Sequence, residues 1–455
     1  MQRTPGTSDH FGNFTGIPGY SPHSANPILP GYYADPSIVQ DGEKIYIYAT
    51  LDPWGGETLG CWESTDFKNW TYRVLNWPTK KACTSTTSRR DNVWAPSVVK
   101  GPEGKFHMAI SVSNEVWMGV ANHPLGPWSN VLGDQPLIPA NYYPEYHMID
   151  AELFVDDDGQ VYLYWGSGWN WTNGRCFVVN LKPDLATFEG EVRDVTPANY
   201  FEAPFMVKRH GRYFLMYSSG ITMKDTYQVH YAVGDSPFGP FTEPDNSPIL
   251  VTDQDTNISS PGHHAVFHRD GRDYILYHRH SIPFDPEFIG RQVCVDEIHF
   301  DANGLIQKVT PTHEGPALVQ GRSDGRINIA KGAAATASSQ RTTFNSAERV
   351  LDDNYATRWA AAKDARGAWL QLDLGVSKEI KSQELRFEYA WKPYHFTVES
   401  SKDGTQWEKL ADFKAEPAIG SPVIIESQTT LRFIRIVFGE EVSGVDISVI
   451  EWALF

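Results

Sequence analysis

The sequence predicts an all-β protein: a five-bladed β-propeller followed by a β-sandwich of jelly-roll shape. Three observations carry that prediction. A unit of roughly 50–60 residues, with three or four short β-rich runs, returns five times. The recurrence stops after Gly315, and a β-rich segment without it follows. No long segment of helical period links the strands, which excludes a helical or Rossmann reading.

The first unit runs from Asp35 to about Tyr72. Ile38-Val39, the turn Gln40-Asp41-Gly42-Glu43 and the run at 44–49 read as a hairpin, because Asp-Gly between β formers favours a tight turn. A third strand lies near Leu59-Gly60-Cys61-Trp62. The second unit opens at Val93-Trp94-Ala95-Pro96, the third at Ile149-Asp150-Ala151-Glu152, the fourth at Phe201-Glu202-Ala203-Pro204 and the fifth at Gly262-His263-His264-Ala265. Each continues through a turn, with Gly101 and Gly104, Asp158-Gly159, His210-Gly211 and Asp270-Gly271 respectively, into a run rich in Tyr, Phe, Ile and Met.

Composition agrees. The 455 residues include 15 Trp, 21 Tyr, 23 Phe, 37 Gly and 30 Pro, which suits short strands and structured turns. A net charge of -17 argues against a nucleic-acid partner. No apolar run is long enough to span a membrane. No signal peptide opens the chain, which is consistent with a mature form. Cys61, Cys83, Cys176 and Cys294 fit no zinc spacing; either Cys61 and Cys83 pair in an oxidising compartment or all four are buried thiols. The expected divisions are a lead-in at 1–26, the propeller at 27–318, a linker at 319–326 and the sandwich at 327–455.

Aligned on the Ala-Pro or Asp-Pro step, Ala34, Trp94, Asp150, Glu202 and His263 take equivalent positions, with Asp35 one residue later. The first strands of propeller blades surround the axis, so these residues are expected around one channel. Taken alone, Asp35 is a strand-start Asp before a proline and Asp150 a turn residue. Together, three carboxylates in one cavity raise one another's pKa, which stability does not require. Glycosidic hydrolysis does require it: one acid protonates the leaving oxygen and one base activates water.

The motifs Tyr33-Ala34-Asp35-Pro36, Ile149-Asp150-Ala151 and Phe201-Glu202-Ala203-Pro204 resemble those of glycoside hydrolase family 43, over roughly residues 27–315. The resemblance implies an inverting enzyme with Asp35 as general base, Asp150 orienting the acid and tuning its pKa, and Glu202 as general acid. It further implies that His263 faces the channel and approaches a bound cation such as calcium, largely through water, with His264 the neighbouring alternative. Gly290-Arg291-Gln292 is similar to the family's late Gly-Arg step, which makes Arg291 a substrate contact, with Arg279 as competitor. Trp94, Trp54, Trp169, Trp171, Asn92 and His147 are candidate pocket residues.

In the last segment, the Asp352-Asp353-Asn354 turn, Trp369-Leu370-Gln371-Leu372-Asp373-Leu374 and Ser401-Lys402-Asp403-Gly404 resemble discoidin-like F5/8 type C domains, close to carbohydrate-binding family 32. The resemblance implies a structural calcium near Asp352 or Asp353. Trp391, Tyr394 and Phe344 are candidate sugar contacts, while Trp359, Trp369 and Trp407 are expected in the core. The functional expectation is an exo-acting β-D-xylosidase or α-L-arabinofuranosidase acting on oligosaccharides or polysaccharides. The alternatives are a β-galactofuranosidase or β-galactosidase of the same fold, or a non-catalytic glycan binder. A monomer in the periplasm or outside the cell is expected, with no cofactor required for the chemistry.

Overall fold

The computed structural model describes residues 16–88, 92–322, 325–439 and 446–455. Residues 1–15 of the expected lead-in, 89–91 of the loop before Asn92 and 323–324 of the expected linker lie outside the described residues. The chain divides into two compact units. One is Tyr32–Thr65 with Arg73–Thr312; the other joins Met1–Gly31, Asp66–Tyr72 and His313–Phe455. The described residues ahead of Tyr32, 16–31, therefore belong with the C-terminal unit.

The repeat region is built from five antiparallel meanders. They are β1 (Tyr33–Asp41), β2 (Lys44–Leu51), β3 (Gly60–Ser64) and β4 (Thr71–Arg73); β5 (Val93–Lys100), β6 (Phe106–Val112), β7 (Glu115–Ala121) and β8 (Ser129–Asn130); β9 (Glu152–Val155), β10 (Val161–Trp165), β11 (Phe177–Leu181) and β12 (Phe188–Asp194); β13 (Glu202–Arg209), β14 (Arg212–Ser219) and β15 (Gln228–Gly234); and β16 (Gly262–Arg269), β17 (Arg272–His280) and β18 (Arg291–Glu297). The five opening strands touch in a closed cycle, β1 to β5, β9, β13, β16 and back to β1. This is a five-bladed propeller with every blade built from consecutive strands. His210-Gly211 and Asp270-Gly271 are both left-handed in φ, the backbone that a two-residue hairpin turn requires.

Middle strands are buried on both faces, so they read as unbroken apolar runs. Their side chains form cores between neighbouring blades. Tyr46 and Tyr48 meet Met108 and Trp117, and Met118 meets Leu163 and Trp165. Tyr164 and Val178 meet Leu215 and Ala232, and Phe214 and Tyr231 meet Ile275 and Tyr277. All four cysteines are buried free thiols, so Cys61 and Cys83 do not pair.

Near the axis each opening strand bends at one residue of positive φ: Asp35 (51°), Ala95 (48°), Asp150 (57°), Ala203 (57°) and His263 (36°). In four blades the pairing slips there, between Ala34 and Ser37, Trp94 and Pro96, Glu202 and Phe205, and Gly262 and Ala265. The bulge sets the repeat register, and it corrects the alignment made on the proline step. Asp35, Asp150 and His263 share the bulge position; Trp94 and Glu202 stand one residue ahead of it.

The bulge turns each backbone N–H toward the previous blade, where a polar side chain accepts it. Thr50 Oγ1 takes Ala95 N–H (2.8 Å), Ser111 Oγ takes Asp150 N–H (2.9 Å) and Ser218 Oγ takes His263 N–H (2.9 Å). The Asp150 carboxylate takes Ala203 N–H, and His278 Nδ1 takes Asp35 N–H (3.2 Å). Five bulges and five acceptors close one ring around the axis.

In the other unit, β19 (Ala334–Ala337), β21 (Trp369–Arg386), β24 (Val423–Phe438), β22 (Phe396–Ser401) and β23 (Glu408–Asp412) form the main sheet in that order, and β26 (Glu451–Leu454) also pairs with β21. β20 (Trp359–Ala360) and β25 (Ser448–Val449) pair separately. Leu370, Leu372, Ile434, Ile436, Phe396 and Trp452 build the core of this β-sandwich. Trp359 is buried, but Trp369 and Trp407 are only half-buried; the Arg435 guanidinium lies 3.9 Å over the Trp407 ring. Tyr394 is no surface contact, since it is buried and stacked on Phe387 at 4.1 Å. Trp391 packs edge-on against Tyr389, and Phe344 leans on Tyr20.

The acidic turn of this unit is neutralised by guanidinium groups. Asp352 is fully buried; its Oδ2 accepts from Arg349 Nη1 (3.2 Å) and Thr357 Oγ1 (2.7 Å), and its Oδ1 from Asn354 N–H (3.1 Å). Arg322 donates to the Asp353 carbonyl (2.9 Å) and, through Nη2, to the carbonyls of Ala25 and Pro27 (2.7 and 2.9 Å). The Asp352 carboxylate oxygens are thus both taken, whereas the Asp353 carboxylate, among the described residues, has only Arg322 at 3.7 Å and His23 at 3.5 Å near it.

Candidate active site

The side chains at the head of the five opening strands line one cavity of about 710 Å³. Asp35, Asp150, Glu202, Trp54, Asn92, Trp94, Trp169, His263 and Arg291 all border it, as do His147 and Trp171. The volume is in the range of small-molecule sites.

Asp35 is held on all sides. Its Oδ2 accepts from Thr50 Oγ1 (2.7 Å), and its Oδ1 accepts from Arg291 Nη1 (3.1 Å). His263 Nδ1 lies 3.2 Å from the same Oδ1. Burial alone would raise this carboxyl, but the Arg291 guanidinium outweighs it and holds Asp35 far below the usual carboxylate range.

Arg291 is itself locked by Asp52, which lies at the end of β2. Asp52 Oδ2 accepts from the Arg291 N–H (2.8 Å) and Nε (2.9 Å), and Oδ1 from Nη2 (2.8 Å). The planar fork spans two carboxylates as a lysine cannot. Arg279, the competing arginine, is buried in β17 and does not line the cavity.

Glu202 and Asp150 behave oppositely to Asp35. Burial pushes Glu202 up to about 7, against hydroxyl donors at both oxygens: Tyr227 to Oε1 (2.7 Å) and Ser167 to Oε2 (2.9 Å). Burial also pushes Asp150 well above its usual range, and the neighbouring carboxylates of Glu202 and Asp35 add to it. The pair therefore keeps a proton at neutral pH while Asp35 stays ionised.

His263 Nδ1 sits between Asp35 and Asp150 (3.2 and 3.6 Å). Burial lowers its pKa and keeps the imidazole neutral. With Nδ1 committed to the carboxylates, only Nε2 is left to meet a cation. Among the described residues no cluster of three or more His, Cys, Asp or Glu side chains is arranged to hold a metal. His264 is buried near Phe205 and is not a lining residue.

Aromatic rings make the walls. Trp54 faces Trp171 (6.5 Å), which leans on Phe201 (5.6 Å), and His147 stacks on Trp169 (4.2 Å). Asn92 Nδ2 pins the Trp54 carbonyl at 2.6 Å. Trp54, Asn170 and Trp171 have φ of 57°, 51° and 63°, strained values that cluster at ligand-binding loops. Gly168 permits the tight 168–174 loop, because a Cβ there would come within 1.8 Å of the Thr172 carbonyl.

Residues 24–306 match Glycosyl hydrolases family 43, well over half of the chain. The chain belongs to that family. Residues 334–451 match the F5/8 type C domain. A relative from Aspergillus niger, the β-D-galactofuranosidase xynD, is 34% identical over 322 residues, covering 66% of this chain and 88% of that protein. A Bacteroides ovatus xylosidase/arabinosidase is 27% identical over 61% of this chain and 95% of its own. A solved structure described as a glycoside hydrolase superposes with a TM-score of 0.79 at 27% identity, covering 95% of this chain and 99% of that one. This member of the family is thus a glycoside hydrolase with a discoidin-type module.

Asp52, Thr50, Ser167, Tyr227 and His278 went unread in the sequence. Thr50, Ser111, Ser218 and His278 each sit at or near the end of a middle strand, so that recurring polar position was a usable signal. Asp52 and Tyr227 offered none, since their partners are 239 and 25 residues away. Arg291→Lys keeps the charge but loses the fork. The expected result is a fall of at least about 100-fold in kcat/KM on an aryl glycoside. Initial-rate kinetics check it, and unchanged rates would remove the fork from the catalytic site.

Proposed function

We propose that this enzyme is an inverting, exo-acting hydrolase that removes terminal pentose or furanose units from oligosaccharides or polysaccharides. Asp35 is the general base, Glu202 the general acid, and Asp150 raises the proton affinity of the acid. One observation carries the reading: three carboxylates share a cavity, and their surroundings split them into one held ionised and a pair that retains a proton.

Within the pair, the proton belongs on Glu202. Asp150 accepts the Ala203 N–H and feels the Arg291 guanidinium, which favour its anion against burial and the repulsion of Glu202 and Asp35. Glu202 is faced by two hydroxyls: Tyr227 donates to Oε1, and the Ser167 hydroxyl can rotate to accept when the carboxyl is protonated at Oε2. In the reaction Asp35 takes a proton from water as the water oxygen attacks the anomeric carbon. Glu202 gives its proton to the leaving oxygen as the glycosidic bond breaks. Attack and departure on opposite faces invert the configuration. A cation in the channel would add electrostatic support beside His263, and no step depends on it.

The similarity to the Aspergillus niger β-D-galactofuranosidase favours a second reading, in which the terminal sugar is galactofuranose. Its identity, 34%, stands above the 27% of the Bacteroides ovatus xylosidase/arabinosidase.

A panel of aryl β-D-xyloside, α-L-arabinofuranoside, β-D-galactofuranoside and β-D-galactoside separates these readings. Glu202→Gln and Asp35→Asn are each expected to lower kcat on the preferred substrate by at least about 1000-fold with folding intact. Because the acid must carry its proton, kcat/KM is expected to fall as pH rises through about 7, the value of Glu202. Proton NMR is expected to show the inverted anomer first. The retained anomer, or full activity in Glu202→Gln, would refute the assignment.

A further inference from the structure

Tyr227 does not line the cavity, yet it grips the group that the preceding reading makes the acid. It is 1% exposed, and its hydroxyl donates to Glu202 Oε1 at 2.7 Å. Its ring lies parallel to the buried imidazole of His278, 5.8 Å away at 8°. The seat exists because residue 262 is glycine: a Cβ there would come within 2.3 Å of the Tyr227 ring. His278 pairs with Gly262 across β16 and β17 and also accepts the Asp35 N–H. One stack of groups thus runs from the ring acceptor beside Asp35 to the far oxygen of Glu202.

We propose that Tyr227 is a positioning residue for proton donation, holding Glu202 from behind and stabilising the carboxylate it becomes when its proton leaves. The inference rests on Glu202 being the acid. As the C–O bond breaks, its electron pair goes to the leaving oxygen, the Glu202 proton follows, and negative charge appears on the Glu202 carboxyl. A hydroxyl already aimed at Oε1 strengthens its hydrogen bond as that charge grows. Ser167 serves Oε2 from the pocket side, where substrate and water also reach; Tyr227 is shielded from both. Its help matters most when the leaving group is a poor one that needs full protonation.

Tyr227→Phe keeps the ring on His278 and removes the hydroxyl, with its hydrogen bonds to Glu202 and to Ser218. In the full-length chain, kcat/KM for a substrate with a poor leaving group, a disaccharide or alkyl glycoside, is expected to fall about 10- to 100-fold. A 2,4-dinitrophenyl glycoside, whose leaving group needs no acid, is expected to lose less than about threefold. The alkaline limb of the pH profile is expected to move up by about one pH unit, since the anion loses a donor. Incorporating 3,5-difluorotyrosine at 227, a stronger donor, is expected to move that limb down. Equal losses on all leaving groups with an unmoved limb would overturn the inference and leave Tyr227 a packing residue. Glu202→Gln measured in parallel separates the two claims: if it still hydrolyses the disaccharide, the assignment of the acid fails, whatever Tyr227→Phe does.

Discussion

The propeller depends on the hydrogen bonds that each blade makes to the next at the axial bulge. A backbone residue at positive φ costs about 1–3 kcal/mol when it is not glycine. This chain accepts that cost five times, at Asp35, Ala95, Asp150, Ala203 and His263. Each bulge presents an N–H to the neighbouring blade, and Thr50, Ser111, Asp150, Ser218 and His278 accept them. The same backbone twist that ties the blades together turns Asp35, Asp150 and His263 into the channel. Cohesion and site geometry are one feature of the fold.

The ring is least ordinary where the last blade meets the first. As at the other blade junctions, no strand is shared there among the described residues, and side chains tie the two blades together. His278 takes the Asp35 N–H, and Arg291 spans Asp35 and Asp52. A single buried guanidinium therefore joins the ends of the propeller and sets the charge of the site. It keeps Asp35 ionised, whereas burial dominates at Glu202 and Asp150 and the neighbouring carboxylates add to it. Three carboxylates of one chemistry acquire two protonation states from one unequally placed cation.

The repeats, the three carboxylates, Arg291 and most of the aromatic wall were legible because each lies in a short run with a recurring context. The register was misread by one residue in part of the ring. A proline step looks like the natural landmark, but the left-handed bulge is what faces the axis, and φ is invisible in a string of letters. Asp52 and Tyr227 looked like ordinary loop and strand-start residues, because their meaning comes from groups on other strands. Tyr394 looked exposed beside Lys392-Pro393 and is instead stacked under Phe387.

The central claim is that Asp35 and Glu202 sit in opposite protonation states at neutral pH. Infrared difference spectroscopy of the carboxyl stretch, with Glu202→Gln and Asp35→Asn used to assign the bands, measures this directly. The expected result is a protonated Glu202 that loses its proton near pH 7 and an Asp35 that is ionised from pH 4 upward. A band from Asp35 that titrates near neutrality, with Glu202 ionised throughout, would contradict the account.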